Sequence, residues 1–528
     1  MKNIKYIYIA VAAALFVGSC KQEPIKPAAP DTPAATTPSK GTADFTKFVA
    51  IGNSLTAGYQ AGALFTEGQQ NSLPKILSTQ FALVGGGTFN QPDIGSVNGY
   101  NSSSSIPGVI TLGRLILYDP DGPGPRTAAP YPAGFPGSAA PTCPSQGTAT
   151  PALKAPYNTA DAPTAFAGDK AALNNFAVPG ILLGQALTPE TGNPASPYYN
   201  GLWARFASSP GVKSIMQDAV AANGTFFLFD LGNNDVLGYA TTGGSGAVPL
   251  TSSASFNNQY GAALAALLTG TTSKGVIANI PDVTTIPFFR TVLWNAIAFK
   301  STDAPTIKAV NDGYVAYNQG IQNPAFALSS TEISKRTIPQ FAVGNNPIVI
   351  ADKTLTDLSS YGVPNIRPAT SADLITLSAG GVLGTCVNND ATKIIGITVG
   401  LGDKYVLMGS SSDATASEVS QVQTRTTEFN AIIKAAADGS GGRIALADVN
   451  AAFTALVAAK AGVYNGVTIT PSFAPPTGAF SEDGVHPNSR GYAFMANIFI
   501  AAINKSFVAN IPLVDISKYK GTGLPVNP

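Results

Sequence analysis

An α/β fold built on a parallel sheet is predicted from two observations. Short apolar runs at 47–51 (KFVAI), 225–231 (TFFLFDL), 275–280 (GVIANI) and 443–449 (RIALADV) have the length and side chains of buried strands. Between them lie stretches whose apolar residues recur every three or four positions, as in helices that bury one face. Strands that are apolar throughout and alternate with such helices belong to a parallel sheet covered on both sides. In such sheets reactive groups collect at the carboxyl ends of the strands.

The chain starts with a segment outside this pattern. Lys2 and Lys5 give a positive start, and an apolar run follows from Ile7 to Val17. That run is too short for a bilayer core, which needs about 20 apolar residues, and reads as a signal peptide. Val17-Gly18-Ser19-Cys20 resembles the lipobox of bacterial lipoproteins. The resemblance implies cleavage after residue 19, acylation of Cys20 and a body held to a membrane outside the cytoplasm. Lys21, where an inner-membrane retention signal has aspartate, leans towards the outer membrane, facing the periplasm or the cell surface. The plainer alternative is a cleaved signal with a chance cysteine. Residues 20–43, rich in Pro, Ala and Thr, read as a tether too polar and too Pro-rich to order itself. Residues 44–528 then form a single domain.

Each element of that domain has a local reason. Strand 47–51 ends in Gly52. A helix follows over Leu73–Phe81, where Ser72 caps it, Pro74 suits its first turn, and Ile76, Leu77 and Phe81 share a face. From about 82 to 170 the sequence is rich in Gly, Pro, Ser and Ala without a sustained period. That is too long for a plain connection, so it reads as an irregular insertion. After strand 225–231, a helical stripe runs through Phe256, Tyr260, Leu264, Leu267 and Leu268. A second large insertion, about 286–412, separates strand 275–280 from a helix near Ser417–Ala437, whose stripe includes Val422, Phe429 and Ile433. Strand 443–449 and a last helix over about Ser489–Ile503 complete the order.

Composition narrows the partners. Charged residues make up only 12% of the chain and the net charge is +1, with no dense basic block, so nucleic acid is not an expected partner. Cys143 and Cys386, left once Cys20 is assigned, either pair across two irregular segments or remain free thiols. Three cysteines and one histidine cannot build an ordinary structural zinc site.

Four short segments carry chemistry. Gly52-Asn53-Ser54-Leu55 follows the first strand directly, so Ser54 sits where backbone N–H groups can face a developing negative charge. A serine capping a helix would look the same. Asn175-Phe176-Ala177-Val178-Pro179-Gly180 ends in a glycine that either presents an unobstructed N–H or opens a loop. Gly232-Asn233-Asn234-Asp235 follows the second strand; a side-chain amide there can donate to an oxyanion, or the segment is a turn. Asp483-Gly484-Val485-His486 precedes the last helix and holds the chain's only histidine. A hydroxyl nucleophile needs a base within reach, and that base needs a group to fix its tautomer; Asp and His three apart supply both.

In this order, the four segments resemble the four blocks of GDSL/SGNH hydrolases. The resemblance implies a three-layer α/β/α, flavodoxin-like fold around a five-stranded parallel sheet, and ester hydrolysis through an acyl-enzyme without cofactor or metal. It implies Ser54 as nucleophile, His486 as base and Asp483 as its orienting group. It also implies an oxyanion hole from the N–H groups of Ser54 and Gly180 and the amide of Asn234. The family's Gly-Asp-Ser-Leu is Gly-Asn-Ser-Leu here, which leaves these residues intact but puts an amide, Asn53, where a carboxylate would accept. No Gly-x-Ser-x-Gly elbow and no phosphate-binding P-loop occurs in the sequence.

The expected activity is carboxylesterase- or lipase-like, with a lipid ester as substrate and Tyr198, Tyr199 and Trp203 as candidates for an acyl cleft, unless they are core. A carbohydrate O-acetyl esterase would use the same machinery with a small acyl pocket. A catalytically silent surface-binding lipoprotein is the alternative of another class, supported by Asn53 and the two insertions.

Overall fold

The computed structural model describes residues 37–100, 113–117, 130–132, 164–409 and 417–524. The leader, Cys20, most of the expected tether and Cys143 lie outside these residues.

A parallel sheet of four strands forms the centre: β1 (Phe48–Gly52), β2 (Phe226–Asp230), β3 (Lys274–Ala278) and β4 (Ile444–Ala447), in that spatial order. Gly52 is level with Asp230, and Phe227 with Gly275. Successive strand residues point to opposite faces, and β2 shows both faces covered. Phe226 meets Phe81 and Phe507, whereas Phe229 meets Tyr260. The first pair lies on helices α2 (Leu73–Ala82) and α7 (Ser489–Phe507), and Tyr260 on α4 (Ser253–Leu268). Helix α5 (Glu418–Asp438) packs beside α4 through stacked Phe256 and Phe429, whose ring centroids are 3.8 Å apart. Gly275 must lack a side chain, because a Cβ there would lie 2.3 Å from the Phe227 ring.

The family resemblance implies five strands, and among the described residues the sheet has four. Beside β1 runs a straighter segment, 174–178, whose Phe176 donates to the Ala50 carbonyl and Val178 to that of Gly52. It forms one parallel bridge, Asn175 with Ala50, rather than a strand. The Asn174 and Asn175 side chains explain this. Asn174 donates to Phe48 O, and Asn175 accepts from its own chain at Ala177 N, so both compete with a regular ladder. The chain leaves β1 for this segment on one side and returns to β2 on the other. A crevice therefore opens at the carboxyl end of β1.

The expected helices are present with small shifts at their ends. Ser72 caps α2 and Ser417 caps α5 by accepting from Lys75 N and Ser420 N. Among the short helices that the sequence does not mark are α3 (Asn234–Thr241) after β2 and α6 (Val449–Ala459) after β4. Helix α1 (Ser54–Ala57) is a single turn after β1. The tether read as unordered to residue 43 already packs from Ser39, which pairs its backbone with Asn510, while Thr42 donates to Phe507 O.

The second insertion is not irregular throughout. Residues within 297–408 build their own core, with Val310, Tyr314, Ile338, Phe341, Ile350 and Val406 among its members. The helix Ala304–Gly320 and three short antiparallel ribbons surround that core. At its centre Arg367, almost fully buried, bonds Asp373 through two nitrogens at 2.7 and 2.9 Å and also bonds Asp352. Cys386, in the same insertion, is disulfide-bonded. In the first insertion Leu115–Leu117 pairs with Pro130–Pro132. Among the described residues no helix is long and apolar enough to cross a membrane.

Candidate active site

Ser54 owes its position to the residues on either side of it. Gly52 allows the turn, since a Cβ there would lie 2.1 Å from the Thr56 hydroxyl. Asn53 caps α1 with its side-chain oxygen on Leu55 N at 3.0 Å. Ser54 is thereby the first residue of a helical turn at the strand end, and only 6% exposed.

The Asp483–His486 loop reaches the same point from the far end of the sequence. Gly484, at φ +71°, lets the chain fold back so that Ser481 N meets His486 O at 2.7 Å. His486 Nε2 lies 2.8 Å from Ser54 Oγ, and His486 Nδ1 lies 2.8 Å from Asp483 Oδ2. A carboxylate can only accept, so Nδ1 carries the ring proton and Nε2 is left to accept from the serine hydroxyl. Burial alone would push the Asp483 carboxyl up. The His486 ring, with the backbone N–H groups of His486 and Val485, outweighs burial and holds it below the usual carboxylate range. It is thus ionised at neutral pH.

Sequence reasoning missed the residues that hold this aspartate. Gly62 N donates to Asp483 Oδ2 at 2.8 Å, and the Ser481 hydroxyl donates to Oδ1 while accepting from Ala61 N. The Tyr59 ring packs 4.8 Å from the imidazole, and Tyr492 on α7 donates to Tyr59 O. The contact between loop 59–62 and residues 481–483 has no sequence signal, because it joins stretches more than four hundred positions apart.

Asn234 and Asp235 secure the opposite wall. Asn234 Nδ2 donates to Ile181 O at 2.8 Å, which leaves its second N–H free to point elsewhere. Asp235 accepts from Leu183 N at 2.9 Å. These two bonds clamp the segment directly after Gly180, an exposed glycine at φ +80°. The structure thus joins Ser54, His486 and Asp483 in one hydrogen-bonded line and ties the Gly180 turn to Asn234. It does not bring Tyr198, Tyr199 and Trp203 to the pocket beside Ser54. Trp203 is wholly buried against Phe206, and Tyr198 is 53% exposed. The apolar walls come instead from α6 and α7, with Leu237, Val283, Ile286 and Phe480 beside them.

Two buried carboxyls lie behind the site. Burial pushes Asp230 up to about 6, against hydrogen bonds from Asn233 and Thr56. Burial pushes Asp235 likewise to about 6, against bonds from Leu183 and Thr251. Such a carboxyl binds its proton more tightly folded than unfolded, where its value is about 3.9. Its contribution is complete below pH 4 and is lost as pH rises through about 6. Asp230→Asn is expected to flatten that part of the stability profile by ~3 kcal/mol, read by urea unfolding from pH 4 to pH 7. An unchanged slope would mean that Asp230 keeps its charge when buried.

No family model, curated protein or solved structure matches this chain.

Proposed function

We propose that this protein is a serine ester hydrolase of the GDSL/SGNH type, working through an acyl-enzyme on Ser54. The observation that carries the reading is the unbroken line from Ser54 Oγ to His486 to Asp483, each link 2.8 Å long. In this scheme His486 takes the hydroxyl proton as Ser54 Oγ attacks the ester carbonyl. It returns that proton to the departing alcohol oxygen, and Asp483 stabilises the imidazolium between the two events. Water then repeats the sequence on the acyl-serine and releases the acid. The negative charge on the tetrahedral oxygen is met by the N–H groups of Ser54 and Gly180 and by the free amide N–H of Asn234. Segment 174–178 takes the place of the fifth strand in this reading. In the same reading, Cys20 carries a lipid anchor that holds the hydrolase at a membrane, with the outer membrane favoured by Lys21.

A fluorophosphonate probe is the direct test, because it reacts only with an activated serine. Wild type is expected to be labelled and Ser54→Ala to remain unlabelled. Equal labelling of the two would move the nucleophile to another residue, and absence of labelling in both would favour the silent-scaffold alternative.

A further inference from the structure

We propose that the acyl group transferred to Ser54 is an unbranched apolar chain of medium length, housed in the pocket between α6 and α7; this rests on the ester-hydrolase reading above. Ser54 and His486 both line that pocket, so a chain held in it lies beside the carbonyl carbon that Ser54 attacks. Its cavity volume is about 90 Å³, room for several heavy atoms where a single water needs about 10–15 Å³. Its polar lining comes from strand ends and the loops after them, through Asp230, Asn233, Asn234 and Asn279. Helices α6 and α7 contribute apolar side chains alone, among them Phe453, Leu456, Phe494, Met495 and Ile498.

Three physical points select the occupant. A sugar in such walls would leave its hydroxyls without partners, which is costly. An acetyl group would leave most of the space empty, whereas each methylene moved from water into it is worth roughly fourfold in binding. Gly491, Phe494, Met495 and Ile498 mark one face of α7 over two turns, about 10 Å. That is the span of roughly eight extended methylenes, taking single C–C bonds near 1.5 Å.

The test uses the full chain in detergent and p-nitrophenyl esters from acetate to palmitate, with wild type, Leu456→Trp, Ile498→Trp and Ile498→Ala. For wild type, kcat/KM is expected to rise roughly tenfold or more from acetate to octanoate. Either tryptophan should lower the octanoate-to-acetate ratio by about tenfold or more. Because tryptophan can disturb packing, Ile498→Ala is read beside it, and its optimum should move to longer chains. An optimum at acetate, or one ratio shared by all variants that still react with fluorophosphonate, would overturn the acyl assignment while sparing the hydrolase. Failure of wild type to hydrolyse any ester or to react with the probe would end both.

Discussion

With His486 replaced by alanine, kcat on an activated ester is expected to fall about a million-fold, with KM little changed. In barrier terms that is about 8 kcal/mol. The size follows from the absence of a substitute, since the chain has one histidine and no other imidazole can accept the Ser54 proton. The fold should tolerate the change. Asp483 would keep the N–H groups of Gly62, Val485 and residue 486 and the Ser481 hydroxyl, so its charge is not left bare. Stopped-flow hydrolysis of p-nitrophenyl octanoate, alongside a thermal melt, separates the two effects. Hydrolysis retained within tenfold of wild type would mean that the proton leaves by another route.

The largest effect on stability is expected at Arg367, in the core of the second insertion. Its guanidinium lies between Asp352 and Asp373, and all three side chains are essentially buried. For both carboxyls burial works upwards. Hydrogen bonds and the charge of Arg367, together with the Thr354 bonds to Asp352 and the backbone bonds to Asp373, reverse it and hold both below the usual range. Arg367→Met would leave two carboxylates facing each other in the insertion core, at a cost of about 3–5 kcal/mol near pH 7. Lys335, 3.3 Å from Asp352, softens that cost on one side only. In wild type these depressed carboxyls contribute stability above about pH 4 and lose it as pH falls further. In the variant they can take up protons more readily, so the gap between variant and wild type should narrow on acidification. Denaturant titrations at pH 7 and pH 5 measure both numbers. A cost below 1 kcal/mol would show that solvent reaches this cluster.

The sequence shows some parts of this molecule plainly and hides others for physical reasons. Strands such as 226–230 are legible because every residue is apolar or stands at the strand end. Helix α5 is legible because Val422, Phe429 and Ile433 keep a helical period beside polar neighbours. Helix α6, VNAAFTALVAA, is almost uniformly apolar, so no period marks it, and the strand expected before it runs two residues too far. Ser54, Asp483 and His486 could be singled out because each sits in a short local pattern beside a strand or helix end. Gly62 and Ser481 could not, since what they do depends on a contact between opposite ends of the chain. Tyr198, Tyr199 and Trp203 are the aromatics that the sequence offers for an acyl cleft. The pocket is made instead from aliphatic and phenylalanine side chains whose periodicity says only that they are buried. The ion cluster of Arg367 was likewise hidden, because Asp352 and Asp373 are scattered through loops.

The pairing of loop 59–62 with residues 481–483 governs when the chain can first act. During synthesis the hydroxyl of residue 54 emerges long before residue 486 exists. Until then no imidazole is present anywhere in the polypeptide to accept its proton. On the proposed reading, a product truncated ahead of residue 486 would carry the nucleophile but remain inert. On the proposed ester-hydrolase reading, the protein stays silent towards esters until its final stretch has been made and docked.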